Sequence, residues 1–438
     1  MNTKWSLRII APVLIAIALV AGFRNKTLMA AVSPAPGIQL SLGAPQVVST
    51  YKQRQQFGFE FGYADGVMGA VADDDNYLYF GSAKSAFFSC SLGGSTPRTQ
   101  GVYKLVPQAG NPLHIASARC RALLQPSGPH AGVNPQGSVG PYDRDYLGGG
   151  PVIRISDGQH CGILIVYHAE FQYGPRRKDL ANLFFGTLGM AVSMDNGKTF
   201  EKLGQIIQPH PGRLEWITEF PGTALSVGNG PLVLGDEAGH PVDPRYPDPE
   251  KTWIYVYYID FERGQCGDQQ CLAVARARLA DVMKAAFRHD QSAVSHLFRK
   301  YHDGKFEEPA ATGAPDNELL SGSYTPVLEG GFSPSIIFDP AGGNAILATQ
   351  AVKQQGTAKE KVIEFRASTD LVHWNKDAIY TLNASADGFA VRYPSLVQTG
   401  SQLWLFYSRS PVGSETWPET TFMARTVTTA PAASKPKL

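Results

Sequence analysis

A chain of 438 residues with 43% hydrophobic, 11% aromatic and 18% charged side chains, 45 Gly and 31 Pro is too apolar to stay disordered and too rich in turn formers to be mainly helical. Lys and Arg number 39 against 38 Asp and Glu, so no basic field invites DNA, RNA or an anionic bilayer as partner. The length admits one large all-β domain or two ordinary ones.

Lys4 and Arg8 precede an uncharged apolar run from Ile9 to Gly22, which reads as a signal peptide over residues 1–31. Arg24 and Lys26 beyond the run also suit an uncleaved signal anchor. The run is short for a span and no later stretch approaches ~20 apolar residues. The body of the protein is therefore expected to be secreted or periplasmic, monomeric, and in touch with membrane only through that N-terminus. Residues 32–60 are read as linker and closing strand, 61–428 as the repeat domain, and the Ala/Pro/Lys-rich 429–438 as a disordered tail.

Export makes disulfides possible. Cys266 and Cys271 bracket the loop CGDQQC between two predicted strands, and Cys90 with Cys120, in one predicted repeat, is the next pair. Cys161 is then left as a buried small apolar side chain. No CxxC pair or His/Cys cluster has the spacing of metal ligands, and neither metal nor cofactor is expected.

After residue 60 one pattern recurs five times: a short apolar strand, a turn, a strand rich in aromatic or β-branched residues, and a third strand. The repeats open at Gly66, Gly150, Gly230, Ser333 and Tyr393. Pro151, Pro231, Pro334 and Pro394 hold the same place in four of them, and proline at the first residue of a strand costs no ladder hydrogen bond. Each is read as the start of an innermost strand. The second repeat's third strand ends in Ser193, Asp195, Gly197, Thr199 and Phe200, spaced S-x-D-x-G-x-T-F. An Asp followed two residues on by Gly supports a tight turn, and the aromatic plugs the space between sheets. In the third repeat, LADVMKAAF and HDQSAVSHLFRKY read as a helical insertion, expected to form a solvated flap. The last repeat lacks a fourth strand, which IQLSLGAPQVVSTY from Ile38 is expected to supply. The fold predicted is an all-β, five-bladed β-propeller whose ring is closed by an N-terminal strand, which removes exposed edges.

The S-x-D-x-G-x-T-F run resembles the Asp-box of sialidases and other propellers, a blade turn that says little about reaction. With Ser368, Asp370 and Trp374 in STDLVHW, YPSLV at Tyr393, KYHDGKFEEP at Lys300 and the repeated proline, residues 60 to 428 resemble the arabinanase/levansucrase-like five-bladed glycosidases. The resemblance implies a carbohydrate substrate and hydrolysis of a glycosidic bond. It implies an Asp of the first blade as general base, an Asp of the second as pKa modulator and a Glu of the third as general acid.

Residues just before each innermost strand and just after each second strand share one face. On it, Asp65 in GYADGVMG is the candidate base, Asp145 in PYDRDYLGGG the modulator in preference to Asp143, and Glu219 in ITEFPG the acid, with Glu215 a close rival. Glycoside cleavage needs one carboxyl protonated and another ionised, which such a ring of loops can supply. His168 after ILIVY, Arg392 before Tyr393, Trp216, Asp143 and Glu215 are the candidate substrate-binding residues; Glu170, Asp260, Glu262, Glu329 and Arg409 share the face. Two other functions compete. Neutral Asn229, in an alternative opening of the third repeat at GNGP, points to a non-catalytic propeller that binds glycan or protein. A sialidase would need Arg154, Arg392 and Arg409 to converge on a substrate carboxylate.

Overall fold

The structure is a computed structural model that describes residues 37–56, 69–73, 76–82, 102–108, 111–124, 127, 141–144, 146–148, 150–172, 184–210, 225–228, 230–260, 266, 270–311, 321–355, 358–414 and 419–431. All of them belong to one compact unit, residues 34–438. The paired cysteine candidate Cys90 lies outside the described residues.

The strands form four hydrogen-bonded sheets. Gly69–Asp73, Asn76–Ser82, Val102–Gln108 and Asn111–Leu124 make a four-stranded antiparallel sheet. A twelve-stranded sheet follows. It contains one meander of Val152–Ser156, Cys161–Gln172, Phe184–Ser193 and Glu201–Ile207, and a second led by Leu232–Gly235, Trp253–Asp260 and Cys271–Arg278. The two are joined by Leu225–Gly228, parallel to Phe184–Ser193 on one side and antiparallel to Trp253–Asp260 on the other. Next come Phe332–Asp339, Asn344–Gln355, Ala358–Ser368 and Tyr380–Leu382, and last Phe389–Thr399, Gln402–Pro411 and Thr421–Pro431. Ile38–Leu42 pairs antiparallel with this final strand, from Ile38 opposite Pro431 to Leu42 opposite Val427. The strand thus runs to Pro431, past the tail boundary set at residue 429, because Thr429, Ala430 and Pro431 are held by the N-terminal strand.

The strands read as nearly continuous apolar runs because both their faces are buried, with alternate residues serving different cores. In Cys161–Gln172, Leu164 and Val166 pack with Ile254, Val256 and Tyr258 of the following meander, while Ile163, Ile165 and Tyr167 pack with Leu124 of the preceding sheet. Tyr255, Tyr257 and Ile259 face Ile336, Phe338 and Leu347, and Ile346, Ala348 and Ile363 face Leu396, Leu405 and Leu40. The hydrophobic cores therefore lie between successive meanders. The leading strands also touch one another: Gly69–Asp73 lies against Val152–Ser156 and Phe389–Thr399, and Phe332–Asp339 lies against Leu232–Gly235 and Phe389–Thr399.

Proline marks the strand start in two meanders, where Pro151 accepts from Val166 N at 3.2 Å and Pro231 from Tyr257 N at 2.9 Å. Pro334 and Pro394 instead sit inside their strands, where the register slips between Phe332 and Ser335 and between Arg392 and Ser395. A bulge accommodates a residue with no N–H to give. The Gly before each of the first two prolines answers to crowding. A Cβ on Gly150 would collide with the carbonyl oxygen of Val166, and one on Gly230 would lie 2.8 Å from side-chain atoms of Leu188 and Val166. Gly150→Ala is accordingly expected to lower unfolding stability in urea by about 1–3 kcal/mol, the usual cost of overpacking; an unchanged midpoint would show that the backbone opens freely here.

One strand-end turn is built twice. Asp195 accepts from Ser193 Oγ, Lys198 N, Thr199 N and Thr199 Oγ1 at 2.6–3.0 Å, and Gly197 N donates to Ser193 Oγ at 2.7 Å. Asp370 likewise accepts from Val372 N, His373 N and His373 Nδ1, while Leu371 N donates to Ser368 Oγ. Desolvation pushes the Asp195 carboxyl up, but the bonds from Thr199 and Ser193 outweigh it and hold the pKa at about 2. Asp195→Ala is expected to cost about 1–3 kcal/mol at neutral pH, as loss of hydrogen bonds to a charged group does. Because the folded pKa lies below the unfolded one, the wild-type advantage is full above the ordinary carboxylate range and disappears as pH falls through about 2. Urea titrations of both proteins at pH 7 and at low pH check this; a difference that does not shrink at low pH would remove the carboxylate from the account.

Two other expectations are corrected. Cys161 is exposed, at a turn where its Sγ lies 3.3 Å from Ser156 Oγ, because it occupies the first residue of its strand rather than the middle. The helices Leu279–Phe287 and Gln291–Leu297 are no solvated flap: Leu279, Val282, Met283, Ala286 and Val294 are buried in the core between the second and third meanders, and the second helix packs on Glu201–Ile207. Asp281 and Lys284 of the first helix and Gln291 and His296 of the second face water. The Cys266–Cys271 disulfide is present, with Cα atoms 5.8 Å apart.

Candidate active site

Tyr146–Gly148 extends the edge of the second meander, with Tyr146 opposite Glu170 and Gly148 opposite His168. Glu170 is opposite Gly186, and Gly186 is opposite Ser226. One row therefore crosses four strands from Tyr146 to Ser226. His168 and Glu170, two residues apart on a strand, project from the same side, and His168 Nε2 donates to Glu170 Oε1 at 3.2 Å. The imidazole sits between Tyr146, 5.9 Å away and tilted, and Phe184, 6.3 Å away and edge-on. Both side chains stay partly open, at 18% and 15% exposure, while His168 Nδ1 is buried without a hydrogen-bond partner. The result is a half-open carboxylate–imidazole pair walled by aromatic rings.

The last sheet carries a cation at the same end. The residue after each proline, Val152 or Ser395, pairs with Ile165 or Phe406. Three residues further along the second strand stand His168 and Arg409. They stand at the same end of their meanders but on different faces: the register slip at Pro394 leaves Arg409 on the side of Leu405 and Tyr407, toward the preceding meander, while His168 is on the side of Leu164 and Val166, toward the following one. Arg392 belongs to this end too, opposite Ser408, and its guanidinium donates to the Ser414 carbonyl at 3.2 Å. Tyr393 and Ser333, each directly before a proline, have φ of 52° and 47°. Such left-handed backbone is unfavourable for side-chain-bearing residues and gathers at functional sites. The Phe332 and Tyr393 rings lie 6.1 Å apart beside them.

A cavity of about 640 Å³ lies between the leading strands of the meanders, lined by Gly69, Val152, Leu232, Ile336 and Leu396 and, toward the first-turn end, by Arg154. Among the described residues no three His, Cys, Asp or Glu side chains converge as metal ligands.

Of the residues singled out from sequence, the structure brings His168 and Arg392 to the same end of their meanders. Asp65, Asp145, Glu215, Trp216 and Glu219 lie outside the described residues, although Asp145 directly precedes Tyr146 of the row. Asp143 lies inside the protein. It is buried, its Oδ2 accepts from Lys202 Nζ, and Lys202 also donates to Ser127 Oγ. Its neighbour Tyr142 shares a hydrogen bond with buried Tyr167, both hydroxyls being pushed far above the phenol range by burial, with the Asp143 charge adding to it. At this corner Asp143 Oδ1 is buried without a hydrogen-bond partner. The arginine triad fails: Arg154 lies past Pro151 toward the turn end, bonded to Asn196 at 2.7 Å, whereas Arg392 and Arg409 are at the opening end. Glu170 is the residue to which the sequence reading assigned no role. Its spacing of two from His168 in an otherwise apolar strand was the available signal.

No protein-family model matches the chain, and no curated protein matches it in sequence. Solved structures with a similar chain path include Zg3597, a family 117 glycoside hydrolase from the marine bacterium Zobellia galactanivorans, at 9% identity over 90% of this chain and 91% of that one, TM-score 0.45. The Bacillus subtilis arabinanase Arb43A is similar at 9% identity over 84% of this chain and 96% of that one, TM-score 0.41. A thermostable family-43 glycoside hydrolase is similar at 12% identity over 85% and 91%, TM-score 0.41. At these identities and scores the likeness transfers no residue roles.

Proposed function

We propose that the protein is an exported, monomeric glycoside hydrolase on a five-bladed β-propeller, acting on an extracellular or periplasmic polysaccharide by carboxylate general acid/base catalysis. The five meanders are its blades, and Ile38–Leu42 closes the ring. The observation that carries the reading is the row from Tyr146 to Ser226. It sets the chain just after Asp145 and the strand that follows Glu219 beside the half-open His168–Glu170 pair. In this reading Asp65 is the base, Asp145 tunes, Glu219 protonates the leaving oxygen, and His168 and Arg392 hold sugar hydroxyls. Like charges gathered in a partly desolvated pocket raise one carboxyl pKa, which keeps Glu219 protonated while Asp65 stays ionised. Export rests on Lys4, Arg8 and the run from Ile9 to Gly22.

A second reading, a non-catalytic glycan-binding propeller, is favoured by the neutral Asn229 directly before Gly230 and Pro231. Release of reducing ends from a panel of arabinan, fructan and galactan separates the two: turnover supports the hydrolase, and binding without turnover supports the binding propeller.

A further inference from the structure

Arg409 is placed like a ligand-binding group and has no polar partner among the described residues. Its guanidinium carbon lies 4.3 Å over the Phe389 ring, so the planar group is held in one orientation. Among the described residues it donates no hydrogen bond and joins no ion pair, and its Nε is buried without a partner. Other arginines are occupied: Arg276, also packed on aromatic rings, donates to Glu237 O and Tyr255 OH, and Arg245, Arg278 and Arg366 each hold a carboxylate. The hairpin from Phe389 to Pro411 contains Arg392 and Arg409 and no Asp or Glu. Arg409 stands at the same end of its meander as His168, so this unsatisfied cation belongs to the end of the molecule where the candidate site lies.

We infer that Arg409 forms a subsite for the carboxylate of a hexuronate residue, so that the substrate is an acidic glycan. The inference rests on the carbohydrate reading above and names the class of sugar. A guanidinium fork pre-oriented on an aromatic face matches a planar carboxylate in two parallel hydrogen bonds, which a compact ammonium cannot reproduce. The Phe389 ring supplies an apolar surface beside that charge.

Isothermal titration of the full chain with trigalacturonate, neutral galactotriose and sulfated galactotriose tests this. Trigalacturonate is expected to bind at least ~10-fold more tightly than the neutral trimer, the scale of one charge-assisted hydrogen-bond pair, and to weaken with added salt. Arg409→Gln should reduce it to the neutral level with an unchanged melting temperature, and Arg409→Lys should restore it only in part. Equal wild-type binding of the acidic and neutral trimers, or undiminished trigalacturonate binding by a folded Arg409→Gln variant, overturns the inference. Tighter binding of the sulfated trimer than of trigalacturonate overturns it as well. If Arg409→Gln does not fold, the wild-type preference and its salt dependence decide. Hydrolysis is scored separately. Arg409-dependent uronate binding without turnover keeps the subsite and removes the hydrolase reading; turnover of neutral glycan with no uronate preference does the reverse.

Discussion

Asp65→Asn and Glu219→Gln are each expected to reduce glycan turnover by at least ~100-fold, since positioned proton transfer alone contributes ~100- to 10,000-fold. The melting temperature should barely move, because each change keeps the side chain's size and removes only an ionisable oxygen. The distinction matters for Asp65, which stands directly before Gly66 and suits a turn equally well. A turn Asp would lower stability when changed to Ala and leave turnover intact when changed to Asn. The spacing of the two carboxyl groups then reports stereochemistry: about 6.5–9.5 Å leaves room for an attacking water and inversion, whereas about 5–5.5 Å fits a covalent intermediate and retention.

Deleting residues 37–49 is expected to abolish folding or lower the melting temperature by more than about 10 °C. Leu40 is buried in the core that also holds Val427, Leu403 and Met423, with Ile38 and Leu42 packed against it. Burying side chains of this kind contributes about 1.5–3 kcal/mol each, so losing the strand removes a large part of a typical stability of about 5–15 kcal/mol. It also uncovers the edge of Thr421–Pro431 for pairing with other chains. Trimming residues 432–438 should change neither quantity in circular dichroism melts. Equal effects from the two truncations would mean that the N-terminal strand is an accessory and not the closure of the ring.

Much of this architecture was legible because strand periodicity and proline placement are local. The strand openings at Pro151 and Pro231, the turn around Asp195, the pairing of Ile38–Leu42 with the last strand and the Cys266–Cys271 disulfide all follow from short stretches of sequence. What escaped depends on partners distant in the chain. The pairing of Asp143 with Lys202 shows only once the outer strand of the second meander is in place. The insertion after Arg278 carries enough charge to suggest a flap, yet its apolar stripe is wide enough to join the core once Glu201–Ile207 lies beneath it. The bulges at Pro334 and Pro394 require strands that begin earlier than their prolines, at Phe332 and Phe389, which no local pattern shows. That His168 and Arg409 stand at the same end of their hairpins emerges only once the strands are paired.

The most direct test is reducing-end release by the wild-type chain from arabinan, fructan, galactan, polygalacturonate and a sialoside, with Asp65→Asn in parallel. The account predicts that at least one polysaccharide, with polygalacturonate foremost, is cleaved, and that Asp65→Asn removes at least ~100-fold of that rate while still folding. No release from any of them, or release that survives in the Asp65→Asn variant, would contradict it and leave a propeller that binds glycans without cutting them.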